Sequence, residues 1–434
     1  MLWLYRLLFL PALIVASPFY LARMRRRGGY KRHFGQRFGS VPKLPAREAG
    51  VVRIWLQAVS VGEMLAIAPL LDALKKDPDV EVYLTTTTST GYKLARERYH
   101  DRTIAIAYFP LDWWLFSLRA WWRVKPDLVI LTEGERWPEH VRQAANRRVP
   151  VICVNARLSD RSFGRMKRWS QASRSLLSGM SRILACSEFD AQRFRELGFE
   201  NSAITTTGNI KLDLTIPALT EEERTLLREE LGFVHGSILL GSSTWPGEEA
   251  ALLKAWRKLQ DAGFNCRLLL VPRHAERRNE IEALLQDAGV RHHFRSRGAA
   301  KEPFDVTVAD TTGELRRLAQ LADLIFVGKS LPPHDQGQTP VEAAALGKPI
   351  VFGPGMSNFR VIARELLGAG AARAVNDPAQ LAGVVLELFQ EPQKRRDMAE
   401  AAQKWHRANQ GAMQRTLAVL SEEIAKARKA SASM

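Results

Sequence analysis

Cysteine is nearly missing from this chain: three residues in 434, Cys153, Cys186 and Cys266, lie far apart and each within an apolar stretch. They form no C-x-x-C, which argues against a disulfide framework or a thiolate metal site, so buried thiols in a reducing compartment are expected. No His/Cys/Asp cluster has metal-ligand spacing, and neither a G-x-S-x-G nor a Walker loop occurs. Acidic residues are outnumbered by basic ones, 46 against 63, leaving a formal charge of +17. That excess is not interleaved with aromatics in any recognisable RNA or DNA module, so nucleic acid is not the expected partner. Beyond residue 22 the apolar runs are short. A content of 46% hydrophobic and 25% charged residues is that of a folded chain rather than a disordered one.

The first 22 residues, MLWLYRLLFLPALIVASPFYLA, are apolar apart from Arg6 and Ser17, close to the ~20 residues that a bilayer span needs. Arg23, Arg25, Arg26, Arg27, Lys31, Arg32, Arg37, Lys43 and Arg47 follow and supply about half of the net charge. A cleavable signal would carry its charges before the apolar core; here they come after it, as in an anchor whose C-terminal side is cytoplasmic. Residues 1–22 therefore read as a single N-terminal anchor and 23–48 as a basic juxtamembrane segment, with the body on the cytoplasmic side. Pro11 and Pro18 keep open a helix lying in the interface instead. Anionic lipid headgroups, worth ~1 kcal/mol per nearby basic residue, suit this charge.

From residue 51 onward, apolar runs such as VRIWL, VEVYL, LVIL and VICV alternate with amphipathic stretches. Such alternation predicts a parallel α/β sheet. The series pauses at LDLTIPALTEE, residues 212–222, then restarts with SILLG, RLLLV, LIFV and IVF. Two Rossmann-like domains are expected, 49–212 and 213–428, facing a cleft. A last helical stretch over 392–428 would lie back across the first domain, with residues 429–434 a frayed tail.

In such sheets ligands gather at the carboxyl ends of strands. The first strand runs into QAVSVGE, which makes Glu63 a candidate general base; the plain alternative is a carboxylate decorating a helix's first turn. TEGERWP follows the strand at 128–131 and brings Glu133 and Glu135 onto one turn, either as site groups or as an ordinary surface loop. In GNIK, Lys211 could reach a phosphate or simply be solvated. In the second half GSSTWPGEE offers a phosphate cradle, VPRH offers the planar fork of Arg273, and DTTGEL offers a helix start whose Gly313 permits close approach.

The block GKSLPPHDQGQTPVEAAALGKPIVFGPGMSNFR, residues 328–360, holds a loop, a short helix and a buried strand. A helix starting at Thr339 or Pro340 would carry a T-x-x-E capping box with Glu342, and Gly347 would end it. Its amides could meet a phosphate and Glu342 a ribose; a well-capped αβ connection has the same signature.

Taken in order, GGYKRHFGQRFG, AVSVGE, EGERWP, VNARLSDRS, GNIKLD, VPRHAER, DTTGEL and the 328–360 block resemble the Kdo transferases of Gram-negative lipopolysaccharide synthesis, over nearly the whole chain. The resemblance implies a GT-B fold that moves 3-deoxy-D-manno-octulosonic acid (Kdo) from CMP-Kdo to the lipid A precursor, with no cofactor or metal. It implies Glu63 as catalytic base, Glu133 as stabilising carboxylate and Lys211 as stabilising lysine. Pro272, Arg273, Gly313, Glu314, Leu315, Thr339, Pro340, Val341 and Glu342 match its CMP-binding segments. The chain departs from the family where Lys329 replaces a glycine, where Asp335-Gln336-Gly337-Gln338-Thr339 replaces Gly-Gly-His-Asn, and where Arg136 replaces an apolar residue. A divergent GT-B transferase using another nucleotide sugar, or a non-catalytic binder of lipid A precursors, are the alternatives.

Overall fold

The computed structural model describes residues 2–26 and 33–432. The chain opens with α1 (Leu2–Arg26), and a 3-10 turn follows at Phe34–Phe38. The first series is β1 (Val52–Gln57), α2 (Val61–Ala66), α3 (Ala68–Lys75), β2 (Val80–Thr86), α4 (Ser89–Arg98) and β3 (Ala105–Tyr108). It continues with α5 (Trp114–Val124), β4 (Leu128–Thr132), α6 (Pro138–Asn146), β5 (Val151–Ala156), α7 (Asp160–Arg168), α8 (Ser170–Leu177), β6 (Arg182–Ala185), α9 (Glu188–Glu196) and β7 (Ile204–Thr206). The strands pair in parallel in the order β3-β2-β1-β4-β5-β6-β7.

All six residues of β1 are buried because helices cover both faces of the sheet. Alternate side chains go to opposite faces. Val52, Ile54 and Leu56 join a core with Leu70, Leu71, Leu420 and Ile424, whereas Trp55 joins the other, packed on Tyr83, Phe109, Trp121 and His140 at 5.4 to 5.7 Å between ring centroids.

The second series is α10 (Glu221–Glu230), β8 (Ser237–Thr244), α11 (Glu248–Asp261), β9 (Cys266–Pro272), α12 (Arg278–Asp287), β10 (His292–Phe294), β11 (Val306–Val308), α13 (Leu315–Leu318) and β12 (Leu324–Val327). Then come α14 (Val341–Ala345), β13 (Ile350–Phe352), α15 (Arg360–Gly368), β14 (Ala372–Ala374), α16 (Pro378–Gln390), α17 (Pro392–Asn409) and α18 (Ala412–Ala432). Its parallel sheet runs β10-β11-β9-β8-β12-β13-β14. Leu252 and Trp256 of α11 meet Val385, Leu388 and Phe389 of α16 in one core. A capping box at Thr220 and Glu223 starts this unit's first helix.

The chain divides into two compact units, residues 1–213 with 410–434, and 214–409. The helix expected over 392–428 is therefore two helices in different units. Gly411 at φ 85° breaks it, a left-handed conformation that suits glycine. The Asp213 carboxylate then accepts N–H bonds from Gly411 (2.6 Å), Ala412 (3.3 Å) and Met413, capping α18 from a distant part of the sequence. Rather than fraying at 429, α18 continues through Ala432, while residues 433–434 lie outside the described ones.

The basic segment is only partly as expected. Arg27, Lys31 and Arg32 lie outside the described residues, and for residues 23–26 the helical backbone alone is described. Arg37 is buried, donating to the Phe109 carbonyl, and Arg47 pairs with Asp127 at 2.5 Å, so neither is a free lipid contact. Cys153 and Cys266 are buried thiols, but Cys186 is half-exposed and donates to Asp190 at 3.2 Å.

Replacing Asp213 with alanine leaves three helix-start amides without their carboxylate. It should cost ~2 kcal/mol of stability, the upper range for a lost cap, measured by urea unfolding of the full chain.

Candidate active site

In the first unit, Ser60 caps α2 and accepts the Glu63 amide at 3.3 Å. Glu63 folds back: its carboxylate accepts from the Val59 amide (2.9 Å), the Ser60 hydroxyl (3.0 Å) and the Thr132 hydroxyl (2.6 Å). The carboxylate therefore does more than decorate a helix turn; three donors from two strand ends fix it.

Glu133 sits at the end of β4 at φ 52°, a strained backbone for a residue with a Cβ, and is 7% exposed. Arg157 reaches it at 2.6 Å and Lys211 pairs with its other oxygen. Lys211 is carried by a 3-10 turn (Ile210–Leu212) whose start is held by Asn209 and by Asn155, which accepts the Ile210 amide at 3.1 Å. Glu63, Glu133 and Lys211 are thus gathered at the carboxyl end of one sheet. Arg157, in VNARLSDRS, was not singled out by its residue pattern, because a lone arginine in a loop has no spacing signal. Thr132 was missed similarly, since a threonine ending a strand is commonplace.

Glu135 completes the cluster. Burial, then the nearby Glu63 and Glu133 charges, push its pKa up to about 7. Arg136 is largely buried beside it, and that burial pulls the guanidinium pKa down.

In the second unit the segments matched to CMP binding follow β9, β11 and β12, on the carboxyl edge of the sheet. Arg273 is exposed beyond β9, with its amide bonded to the Thr244 carbonyl at 3.1 Å. Gly313 is at φ 89° with open space where a Cβ would stand. Glu314 is already engaged: Arg295 donates to both of its oxygens at 2.8 and 2.9 Å, and Thr311 bonds it too. Leu315 begins α13.

Helix α14 begins at Val341, not at Thr339, with Pro340 as its cap residue. The expected Thr339/Glu342 box is not made; the Thr339 hydroxyl accepts from the Val341 amide at 3.2 Å, because the proline at the cap shifts the first turn by one residue. Glu342 is left with one buried oxygen unpaired and Arg316 3.6 Å from the other. A buried acceptor without a donor is costly, and a ligand hydroxyl would satisfy it.

GSSTWPGEE is not an open phosphate cradle. The carboxylate of Glu248, 1% exposed, fills it, accepting the amides of Trp245 (2.9 Å), Lys329 (2.8 Å), Ser330 (2.8 Å) and Leu331 (3.1 Å). Lys329, at φ 59°, lays its ammonium 4.1 Å from the centroid of the Trp245 ring and donates to Gln336 at 2.5 Å.

Residues 32–214 match the family model described as 3-deoxy-D-manno-octulosonic-acid transferase (kdotransferase). The 3-deoxy-D-manno-octulosonic acid transferase of Bordetella pertussis is 35% identical over 92% of this chain and 94% of its own length. That of Haemophilus influenzae is 32% identical over 95% of this chain and 94% of its own. Among solved structures, Anabaena Alr3699/HepE in complex with UDP superposes with a TM-score of 0.55 at 16% identity, covering 86% of this chain and 99% of that one. A UDP-N-acetylglucosamine 2-epimerase does so with a TM-score of 0.52 at 14% identity, covering 81% and 91%. With two parallel seven-stranded sheets, the fold is of the GT-B type.

The Glu135 carboxyl binds its proton more tightly in the folded chain than in the unfolded one, so its contribution to stability falls as pH rises from about 4.5 to about 7. Glu135→Gln should remove that fall. Asp112, raised to about 7 by burial, shares the window. The readout is therefore the difference in urea midpoint between wild type and variant, which should widen in the variant's favour from pH 4.5 to 7.

Proposed function

This chain belongs to the 3-deoxy-D-manno-octulosonic acid transferase family, and we propose that it transfers Kdo from CMP-Kdo to a lipid A precursor, a tetraacyldisaccharide 4'-phosphate, with inversion at the anomeric carbon. The observation that carries the mechanism is the carboxylate of Glu63, oriented by three donors beside the pairing of Glu133 with Lys211 and Arg157. In the proposed reaction Glu63 takes the proton of the acceptor hydroxyl. The resulting oxygen attacks the anomeric carbon as its bond to the CMP phosphate breaks, and the electron pair leaves with CMP.

Glu133 answers the positive charge that develops on the sugar, and Lys211 and Arg157 hold it in place. Arg273 and the segments 313–315 and 339–342 take the nucleotide. Arg273 offers a bidentate fork for phosphate and Glu342 an acceptor for a ribose hydroxyl. The protein is proposed to work at the cytoplasmic face of the inner membrane, attached through its N-terminal helix, whose residues Leu2–Ala22 are long and apolar enough to cross a bilayer. Lys329, whose ammonium lies over Trp245, favours a second reading, a GT-B transferase for a different nucleotide sugar, because it stands where the family has a glycine.

Incubation of the purified chain with CMP-Kdo and the tetraacyldisaccharide should give a product heavier by Kdo in the mass spectrum, with the new linkage inverted relative to the donor by NMR. Turnover of another donor and none of CMP-Kdo would support the second reading. Arg273→Ala should raise KM for the donor by about tenfold or more, the loss of one charge-assisted contact, while leaving the urea midpoint unchanged.

A further inference from the structure

Helix α1 is fastened to the folded body at the end that a membrane-spanning helix would carry to the far side. The Tyr5 hydroxyl donates to Asp112 at 2.6 Å. The Arg6 guanidinium grips both oxygens of Glu139 at 2.8 and 2.9 Å, and the Trp113 indole donates to the Arg6 carbonyl at 3.3 Å. Asp112 and Glu139 are fully buried, and Asp112 also accepts the Glu139 and His140 amides. These carboxylates belong to the domain core, and leaving either without its partner is strongly unfavourable.

The contact continues along the helix. Residues 2, 5, 6, 9, 13 and 17 are partly covered whereas most others between 3 and 19 are exposed, the spacing of one helical face. Tyr20, near the other end, lies close enough to Tyr108 to add to the rise that burial gives that phenol. After the undescribed residues the chain is back at the same place: the Tyr108 amide donates to Gln36 at 2.8 Å, and the Phe38 ring meets Phe116 at 5.2 Å. Tyr5 and Arg6 near the start of the helix, and the chain that follows its end, therefore both meet residues 108–116. A spanning helix needs its ends ~30 Å apart on opposite sides of the hydrocarbon.

The outer face is apolar and continues onto a neighbour. Trp3 and Phe19 of α1 are each 79% exposed. On α5, Leu115, Leu118 and Trp122 are exposed at three- and four-residue spacing, with Trp122 at 69%, and the exposed Arg119 and Arg123 flank them. Helix α5 follows directly on Trp113, which bonds α1. Apolar and aromatic side chains rimmed by arginines suit the boundary between headgroups and acyl chains of an anionic leaflet.

We propose that α1 and α5 form one face that lies in the plane of an anionic phospholipid leaflet, making the protein monotopic rather than membrane-spanning. This rests on the membrane attachment proposed above and specifies its mode. The interfacial reading that Pro11 and Pro18 left open is thus the one favoured.

The test uses the full chain carrying Cys186→Ser and a single fluorophore-labelled cysteine at Trp3, Ile14, Phe19 or Trp122, added to phosphatidylethanolamine/phosphatidylglycerol vesicles with quenchers at shallow or deep acyl positions. All four sites should be quenched more by the shallow lipid. Deep quenching at Ile14 with shallow ends, or no quenching at Trp122 in protein that floats with the vesicles, overturns the proposal. Failure to float at all overturns membrane attachment itself. The double variant Leu118→Ser/Trp122→Ser should bind vesicles about tenfold or more weakly while transferring Kdo to detergent-dispersed acceptor at the wild-type rate; unchanged affinity, or a lipid-free dimer that the variant dissolves, overturns the α5 assignment.

Discussion

Three carboxylates, Glu63, Glu133 and Glu135, crowd the carboxyl end of one parallel sheet, and the need to hold them there shapes their surroundings. Like charges in a partly dry site repel, so each must be paired, hydrogen-bonded or protonated. The protein uses all three solutions. Glu133 is paired by Arg157 and Lys211, Glu63 is held by Val59, Ser60 and Thr132, and Glu135 has its pKa lifted to about 7. The left-handed backbone at Glu133 turns its side chain toward those cations, and Asn155, also left-handed at φ 52°, orients the turn that carries Lys211. The strain is local and is met by a densely packed sheet whose strands β1 and β4 are buried throughout.

The second unit solves a related problem with the opposite sign. A loop rich in free amides would attract an anion, and here Glu248 supplies it internally, fixing residues 329–331 against the start of α11. What stays open on that sheet edge is Arg273, the space over Gly313 and the unpaired oxygen of Glu342. An exposed guanidinium, room for close approach and an orphan acceptor are the features a sugar nucleotide needs.

Much of the fold was legible because its causes are local. Short apolar runs bounded by turn residues mark strands such as VRIWLQ and RLLLV, and the alternation with amphipathic stretches marks a parallel sheet. The ordered motifs likewise marked Glu63, Glu133 and Lys211. Long-range pairings were not legible. Nothing in the spacing of Asp213 and Gly411 announces that one caps the helix begun at the other, nor that Arg6 seeks Glu139. The start of α14 was misplaced because a T-x-x-E signature is indifferent to whether proline takes the first helical position or the cap. The Glu248 contact was hidden for a different reason: a glutamate opening a helix reads as a dipole partner, and only the fold shows which distant amides it reaches.

In the proposed reaction Glu63 removes the acceptor proton in the step that forms the glycosidic bond. Single-turnover Kdo transfer by Glu63→Gln, with wild-type donor affinity and urea midpoint verified, tests it most directly. The chemical step should slow by about a hundredfold or more with donor binding intact; a wild-type single-turnover rate in that variant would contradict a proton-accepting role for Glu63.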